Sequence, residues 1–360
     1  MTFDPTYPHK LPFLPVSTDI QNSYFTDILV KARAQLAELK GTSKHSPNSM
    51  LLISPFVLME SVASSNIENI NTTLVEVLQS QLFPEAEQRP VDKEVLRYRD
   101  AVLWGFENLN NYSISTRLIL GIQNVLIPSN EKGYRKQQNR IENTATKTVL
   151  YTPPIATDIP ELMSNWENYS NEDSDKLDPL IKASILHHQF ESIHPFSDGN
   201  GRTGRILMVL QLVKDELITL PILYISGYIN ENRSSYYKLL NEVTVTNNWN
   251  GFIDFMLKGF HSQALEANKK LLGMNELYSE FKEIIKKEHP AIYNTVDLID
   301  AIFSYPFITP AQLSSTISIH RQTASKYLTE LVKSNLLEET THKKYHLFIN
   351  KKLLDIINSK

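Results

Sequence analysis

Apolar residues recur at three- and four-residue steps along most of this 360-residue chain, the spacing that lines one face of an α-helix. From about Asp19 the positions Tyr24, Ile28, Leu29, Ala32, Leu36 and Leu39 follow that spacing, and Gly41 is the expected C-cap. Residues 49–70 and 91–110 carry the same pattern, with Phe83-Pro84 and Arg89-Pro90 as punctuation between them. Further helices are expected over 159–169, 179–192, 231–245 and 249–288. Ile206, Leu207, Val209, Leu210 and Val213 predict a helix that is apolar on most of its circumference, hence buried.

Three stretches depart from the helical period. Residues 1–20 are proline-rich (Pro5, Pro8, Pro12, Pro15) and predict an extended arm lying over the body. Residues 144–152 (TATKTVLYT) are rich in Thr, Val and Tyr and are closed by Pro153-Pro154, which predicts a short, isolated and exposed hairpin. Past Pro290 the order changes again. A short helix at 296–303 is followed by Thr309-Pro310, an N-cap with proline at the first helical position. A turn at Ser318-Ile319 leads into a helix over 320–334, with Ala324, Leu328, Leu331 and Val332 on its apolar face. Strands at 336–339 and 345–349 flank a basic turn, His342-Lys343-Lys344. Helix, helix–turn–helix and hairpin is the order of a winged-helix domain. The expected fold class is therefore mainly α, a helical core with a small β-hairpin and a C-terminal winged helix-turn-helix domain.

Composition narrows the classes. With 41% hydrophobic and 21% charged residues the chain can bury a large core, which excludes disorder. It has no cysteine, so disulfides, thiolate zinc sites and a cysteine nucleophile are excluded. The N-terminal MTFDPTYPHK lacks the basic and apolar regions of a signal peptide, and the most apolar stretch, 206–213, is too short to span a bilayer. A cytoplasmic protein without a membrane partner is expected. The net charge of −4 gives no global nucleic-acid footprint. The charge is uneven, however. Residues 291–360 carry eight Lys/Arg against six Asp/Glu, a local +2, which leaves −6 for the remainder.

Only 11 glycines occur, and three of them, Gly199, Gly201 and Gly204, fall within six residues. The segment HPFSDGNGRTGR, residues 194–205, lies between two predicted helices and so feeds a helix N-terminus. Glycines there allow close approach of the backbone to a ligand, and unpaired N–H groups with the helix dipole favour an anion. Arg202 and Arg205 lie three apart in the first turn, where they oppose the dipole and need an anionic partner. Asp198 offers a hard oxygen ligand suited to Mg²⁺. His194 has the chemistry of a general base at neutral pH. No strand precedes the glycines, so a Rossmann reading fails.

These residues match the Fic motif, HxFx(D/E)GNGRxxR, at every position, and the resemblance extends over most of residues 10–270. It implies an all-helical core that transfers the AMP part of ATP to a Ser, Thr or Tyr hydroxyl of a target protein, or of the chain itself, with pyrophosphate as leaving group. By resemblance, His194 is the base and Asp198 holds Mg²⁺ on the α- and β-phosphates. Asn200 and the amides of Gly199 and Gly201 bind phosphate oxygens, and Arg202 and Arg205 hold the β- and γ-phosphates. The ATP-binding stretch is completed by Thr203 and Gly204. The strand signal at 143–152 falls where Fic proteins carry a flap that registers the target by strand addition. Gly133-Tyr134-Arg135 and Gln138-Asn139 resemble the approach to this flap. Residues 228–237 (YINENRSSYY) resemble the segment that closes over adenine, with Tyr237, and secondarily Asn230, as its contacts.

Ser64-Ser65-Asn66-Ile67-Glu68-Asn69 resembles the family's inhibitory motif, (S/T)xxxE(G/N), inside a predicted helix about 130 residues before the Fic motif. That implies autoinhibition by Glu68, with Ser64 and Asn69 as its motif companions. A carboxylate paired bidentately with Arg205 competes with the γ-phosphate for one guanidinium.

His187 and His188 are adjacent on a helix and point about 100° apart, so they cannot both converge with His194 on a metal. One could support the core or orient His194. Trp166 and Trp249 read as core. In the C-terminal domain Arg321, Gln322, Thr323, Ser325 and Lys326 are residue types that a recognition helix uses, and DNA or a protein remains open as the partner of 291–360. The expected divisions are 1–105 (N-terminal region with the inhibitory helix), 106–270 (catalytic core) and 285–360 (winged helix). Three alternatives to AMP transfer stay open: a Doc-like phosphotransferase, removal of AMP from a target, and a DNA-binding regulator. A homodimer also stays open.

Overall fold

Helices dominate the structure, a computed structural model that describes residues 3–46, 49–128, 132–142, 146–172, 176–342 and 345–359. The arm runs extended over the body as expected. The His9 N–H donates to the Thr152 carbonyl (2.9 Å), Gln189 Nε2 donates to the Pro12 carbonyl (2.8 Å), and the Asn165 amide pairs with both backbone groups of Leu14. After one 3₁₀ turn, α1 (Thr26–Lys44) packs along the long helix at Trp249–Glu288. Gly41 lies inside α1 instead of capping it, with open space where a Cβ would stand. Burial of the α1 face outweighs the roughly 1 kcal/mol that an interior glycine costs.

Next come α2 (Ser49–Ile67), α3 (Leu74–Ser80), α4 (Pro90–Tyr112) and α5 (Thr116–Leu126). The expected helix over 49–70 is shorter, because Asn69 takes a left-handed φ of 63° and turns the chain. Glu68 therefore stands on the turn that closes α2 and not within the helix. The flap follows as β1 (Ile141–Glu142) and β2 (Val149–Tyr151), an antiparallel pair with an irregular register. The strand is shorter than 144–152, since Thr146 begins a turn and Lys147 is left-handed (φ 57°). Residues 143–145 of the expected flap, and Lys343-Lys344 of the basic turn, lie outside the described residues.

The centre of the fold is a helix pair, α6 (Ile159–Asn171) leading to α7 (Pro179–Ile193), and α8 (Asn200–Lys214) packed against α7. Leu207, Met208, Val209, Leu210 and Leu212 of α8 are buried, as the all-round apolar pattern requires, and α8 is enclosed by α2, α4, α5, α7 and α9 (Ile225–Glu231). Then come α10 (Arg233–Thr246) and α11 (Trp249–Glu288), whose 40 residues run about 60 Å at 1.5 Å per residue. α11 packs on α1 at one end and on the C-terminal segment at the other.

That segment comprises α12 (Thr295–Ser304), β3 (Phe307–Ile308), α13 (Pro310–Thr316), α14 (Arg321–Lys333), β4 (Glu338–His342), β5 (Tyr345–Ile349) and α15 (Lys351–Asn358). Thr309 caps α13 by accepting from the Gln312 N–H. Its three strands form one antiparallel sheet in the order β3-β5-β4. The order of elements is the one expected above, with β3 and α15 added. α12 packs against α2, and Lys270 of α11 donates to the Ile357 carbonyl at the end of α15 (2.9 Å). Among the described residues no helix is long and apolar enough to cross a membrane.

Candidate active site

His194 is the residue on which α7 ends. Its left-handed backbone (φ 50°) swings the chain out of the helix while its N–H still donates to Phe190 (3.0 Å). The Nδ1 atom lies 3.3 Å from the Glu191 carbonyl. A carbonyl can only accept, so Nδ1 carries the proton and Nε2 carries the lone pair. Burial pushes His194 down to about 4, against the opposing effect of the Glu191 carbonyl, and the Arg135 charge adds to the lowering. The imidazole is therefore neutral at pH 7, with its acceptor nitrogen outside any internal hydrogen bond among the described residues.

The loop after His194 is braced from three sides. Arg135 is buried, and its guanidinium donates to the carbonyls of His194 (2.9 Å), Gln137 (3.0 Å) and Pro154 (2.5 Å). Its N–H donates to Pro195 (2.8 Å), so one residue ties the catalytic loop to both ends of the flap. Gln123 of α5 donates to the Asp198 carbonyl (2.9 Å) and accepts from the Thr203 hydroxyl (2.8 Å). Asn200 closes the loop from inside. Its Oδ1 accepts from the Phe196 N–H and its Nδ2 donates to the Phe196 carbonyl, both at 2.8 Å. Both ends of this amide are thus engaged by backbone, so Asn200 holds the loop in shape.

Gly199 is left-handed (φ 78°) and a Cβ there would meet Ile127 at 2.6 Å, so the turn requires glycine. At Gly201 a Cβ would stand 2.4 Å from Glu68 Oε1, which puts the Glu68 carboxylate directly over the first turn of α8. Gly204 has a different reason to be glycine. A Cβ there would meet Glu191 Oε1 at 2.4 Å and the Phe190 ring at 3.0 Å, so Gly204 lets α7 and α8 approach. Thr203 is fully buried and bound to Gln123. Both residues pack α8 against its neighbours.

Both arginines are buried, and each meets a carboxylate. Arg205 donates from Nε to the Ser64 hydroxyl (2.8 Å), and from Nη2 to the Ser64 carbonyl (3.1 Å) and Glu68 Oε1 (2.8 Å), so the expected bidentate pair is a single hydrogen bond because Ser64 takes the Nε edge. Burial by itself would raise the pKa of Glu68. The charge and hydrogen bond of Arg205, with Arg202 and His194 behind them, reverse this and hold it below the usual carboxylate range. Arg202 pairs with Glu94 of α4 and stands 3.7 Å from Asp198. Glu94 carries no sequence signal that would have singled it out. Asp198 is largely exposed and accepts from the Gly199 N–H (2.6 Å).

On the far side, Arg233 Nη1 donates to Asn69 Oδ1 (3.1 Å), and its guanidinium stands 5.9 Å from the Tyr237 ring. Tyr237 is half-exposed on α10, beside the arginine that reaches Asn69. Asn230 is half-buried on α9, and among the described residues no hydrogen bond links it to the loop. His187 meets the Tyr236 hydroxyl (2.8 Å) and His188 the Leu240 carbonyl (3.2 Å). Burial pushes them down to about 3 and about 4 respectively, so both are neutral core residues. Burial pushes Glu191 up to about 7.

The segment that forms this site, residues 113–212, matches the Fic/DOC family, residues 26–107 match the Fic/DOC family N-terminal region, and residues 277–353 match the C-terminal domain of SoFic-like protein adenylyltransferases. The chain belongs to the Fic/DOC family. Among curated Fic relatives, it is similar to protein adenylyltransferase fic-1 of Caenorhabditis briggsae, 28% identical over 131 residues, which are 36% of this chain and 24% of that protein. It is also similar to a probable protein adenylyltransferase of Aquifex aeolicus, 34% identical over 111 residues, covering 31% of this chain and 30% of the other. The matches thus span less than a third of these relatives' length. In fold it resembles the crystal structure of a Fic family protein from Desulfovibrio desulfuricans, with a TM-score of 0.56 and 21% identity, covering 92% of this chain and 97% of that one. As a Fic site, the arrangement joins an anion cradle at the α8 N-terminus, a neutral imidazole beside it, and a carboxylate already seated on one of the cradle's arginines.

Proposed function

We propose that this Fic chain is a protein adenylyltransferase that moves AMP from ATP to a hydroxyl of a target protein and is held in check by Glu68. The observation that carries the reading is the pairing, at one helix N-terminus, of a neutral His194 with two buried arginines. The target hydroxyl gives its proton to His194 Nε2 as its oxygen attacks the α-phosphorus. The bond from the α-phosphorus to the bridging oxygen breaks, and pyrophosphate leaves. Arg202, Arg205 and the amides at the α8 N-terminus hold the departing negative charge, which is the main demand of phosphoryl-type transfer. Tyr237 borders the adenosine, and the flap edge at 143–152 aligns the target backbone.

The residues fit Mg²⁺ in a limited way. Among the described residues no group of three or more His, Asp or Glu could close a metal shell. Mg²⁺ commonly takes one or two carboxylates and completes its octahedron with phosphates and water, and exposed Asp198 suits that role. When bound, the ion would neutralise phosphate charge.

We divide the chain at 1–105, 106–270 and 285–360 and read the last part as a winged helix. α14 exposes Arg321, Gln322 and Lys326. The turn end of the wing faces inward, with the Tyr345 ring 5.0 Å from Phe83 and its hydroxyl 3.4 Å from Glu87. That favours internal docking of the wing and leaves α14 as the face for a partner. The absence of cysteine suits a cytoplasmic setting.

The deciding experiment gives the protein ATP labelled at either the α- or the γ-phosphate. Label retained on protein from α-ATP alone is expected. Retention from γ-ATP alone would replace this reading with phosphotransfer. The pH profile is a second check. His194 acts unprotonated, and its pKa lies below the ordinary histidine value, so activity should persist as pH falls through about 6.5. The acid limb of kcat/KM should lie at about 4. A break at the ordinary histidine value would rule out the His194 imidazole as the base.

A further inference from the structure

The inhibitory helix carries a second carboxylate that the reaction does not use. Glu60 lies on α2 four residues before Ser64 and eight before Glu68, so the three share one stripe of the helix and its closing turn. Glu60 is buried and meets three donors. Tyr98 of α4 donates its hydroxyl (2.9 Å), and Ser226, the second residue of α9, donates its N–H (3.0 Å) and its hydroxyl. Burial raises the pKa of Glu60, while the Ser226 and Tyr98 bonds oppose that rise. The carboxylate thus knots α2 to α4 and to the start of α9, the segment that leads to Tyr237. It satisfies an N–H at the α9 N-terminus, where a carboxylate is favoured. At the other end of the stripe, Asn69 is held by Arg233 of α10.

We propose that Glu60 is a positioning residue that fixes the height and rotation of α2 against α9, so that Ser64 and Glu68 fall on Arg205. A helix that slides or turns by a fraction of a residue moves Glu68 away from a 2.8 Å contact. Three converging donors, contributed by two other helices, oppose that slip. The proposal rests on the reading that Glu68 inhibits, and it adds what holds Glu68 in place.

Glu60→Gln tests it with little change of volume. An amide has one acceptor oxygen and an NH₂ that cannot accept, so it cannot serve three donors. The rate of α-labelled AMP incorporation is compared for wild type, Glu60→Gln, Glu68→Gly and the double variant. Glu60→Gln should raise the wild-type rate about five- to tenfold, as loss of one charge-assisted hydrogen bond allows, and should leave the Glu68→Gly rate unchanged. Ser226→Ala, which removes one donor and leaves the carboxylate, should act in the same direction with a smaller effect. This keeps the proposal testable if Glu60→Gln does not fold. An equal loss of rate in both backgrounds would mark Glu60 as merely structural and overturn the proposal. So would an unchanged rate in Glu60→Gln while Glu68→Gly is activated. If Glu68→Gly itself equals wild type, the autoinhibition reading fails, and this proposal fails with it.

Discussion

Glu68→Gly should raise AMP incorporation by about 10- to 100-fold over wild type. The estimate follows from the competition at Arg205. A hydrogen bond to a charged partner contributes about 1.5–3 kcal/mol, and each 1.4 kcal/mol is a factor of ten. Glu68 is about one-third exposed, so water offsets part of the interaction, and the lower end of the range is the better expectation. The geometry explains why a carboxylate at this place would inhibit. Its Oε1 lies over Gly201 in the first turn of α8, where an anion is most favoured, and it also holds Arg205 Nη2. A phosphate entering the cradle must displace it or settle in another pose. Removing Glu68 leaves the buried Arg205 with Ser64 alone, so the variant should also be less stable without nucleotide. ATP should restore that stability in proportion to its binding. Initial rates with α-labelled ATP and thermal unfolding with and without ATP measure both effects. Equal rates for variant and wild type would remove the inhibitory role of Glu68.

His194→Ala should lower AMP incorporation by a factor of about 10² to 10⁴, the usual contribution of a positioned general base. It should be measured in the Glu68→Gly background, where the starting rate is high. Nucleotide affinity should change little, because the arginines and the α8 N-terminus remain, and calorimetric titration with ATP checks this. Among the described residues the His194 ring has one hydrogen-bonding partner, the Glu191 carbonyl, so the fold should survive its truncation. A variant that binds ATP, folds normally and still transfers AMP would rule out His194 as the base.

Much of the fold follows from local patterns. α11 begins and ends where its apolar period does, at Trp249 and Glu288, because so long a face leaves little ambiguity. The N-cap at Thr309 and the proline after it mark α13 for the same local reason. Gly41 reads as a stop and is not one, since the packing of α1 on α11 carries the helix through it. Within the site, the glycines illustrate the limit. Gly199, Gly201 and Gly204 look alike in sequence, yet one serves a left-handed turn, one a carboxylate above it, and one the approach of two helices.

The sequence by itself determined which residue types stand together at 194–205, because imidazole, glycines and arginines are contiguous there and helical geometry orders neighbours without outside help. It also determined that a carboxylate motif stands ahead of them. The motif resemblance implied Glu68 for Arg205, but only the tertiary structure brought those two together and decided that Glu94 meets Arg202. Glu68 reaches Arg205 across 137 positions and Glu94 reaches Arg202 across 108. With 40 acidic residues in the chain, neither pairing is encoded locally. The same holds for Arg135, Gln123 and Glu60, whose partners lie on other elements, and for Asn200, whose amide turns inward because the loop backbone there has groups to satisfy. A helix face is set by spacing along the chain, whereas an ion pair between elements is set by how those faces stack.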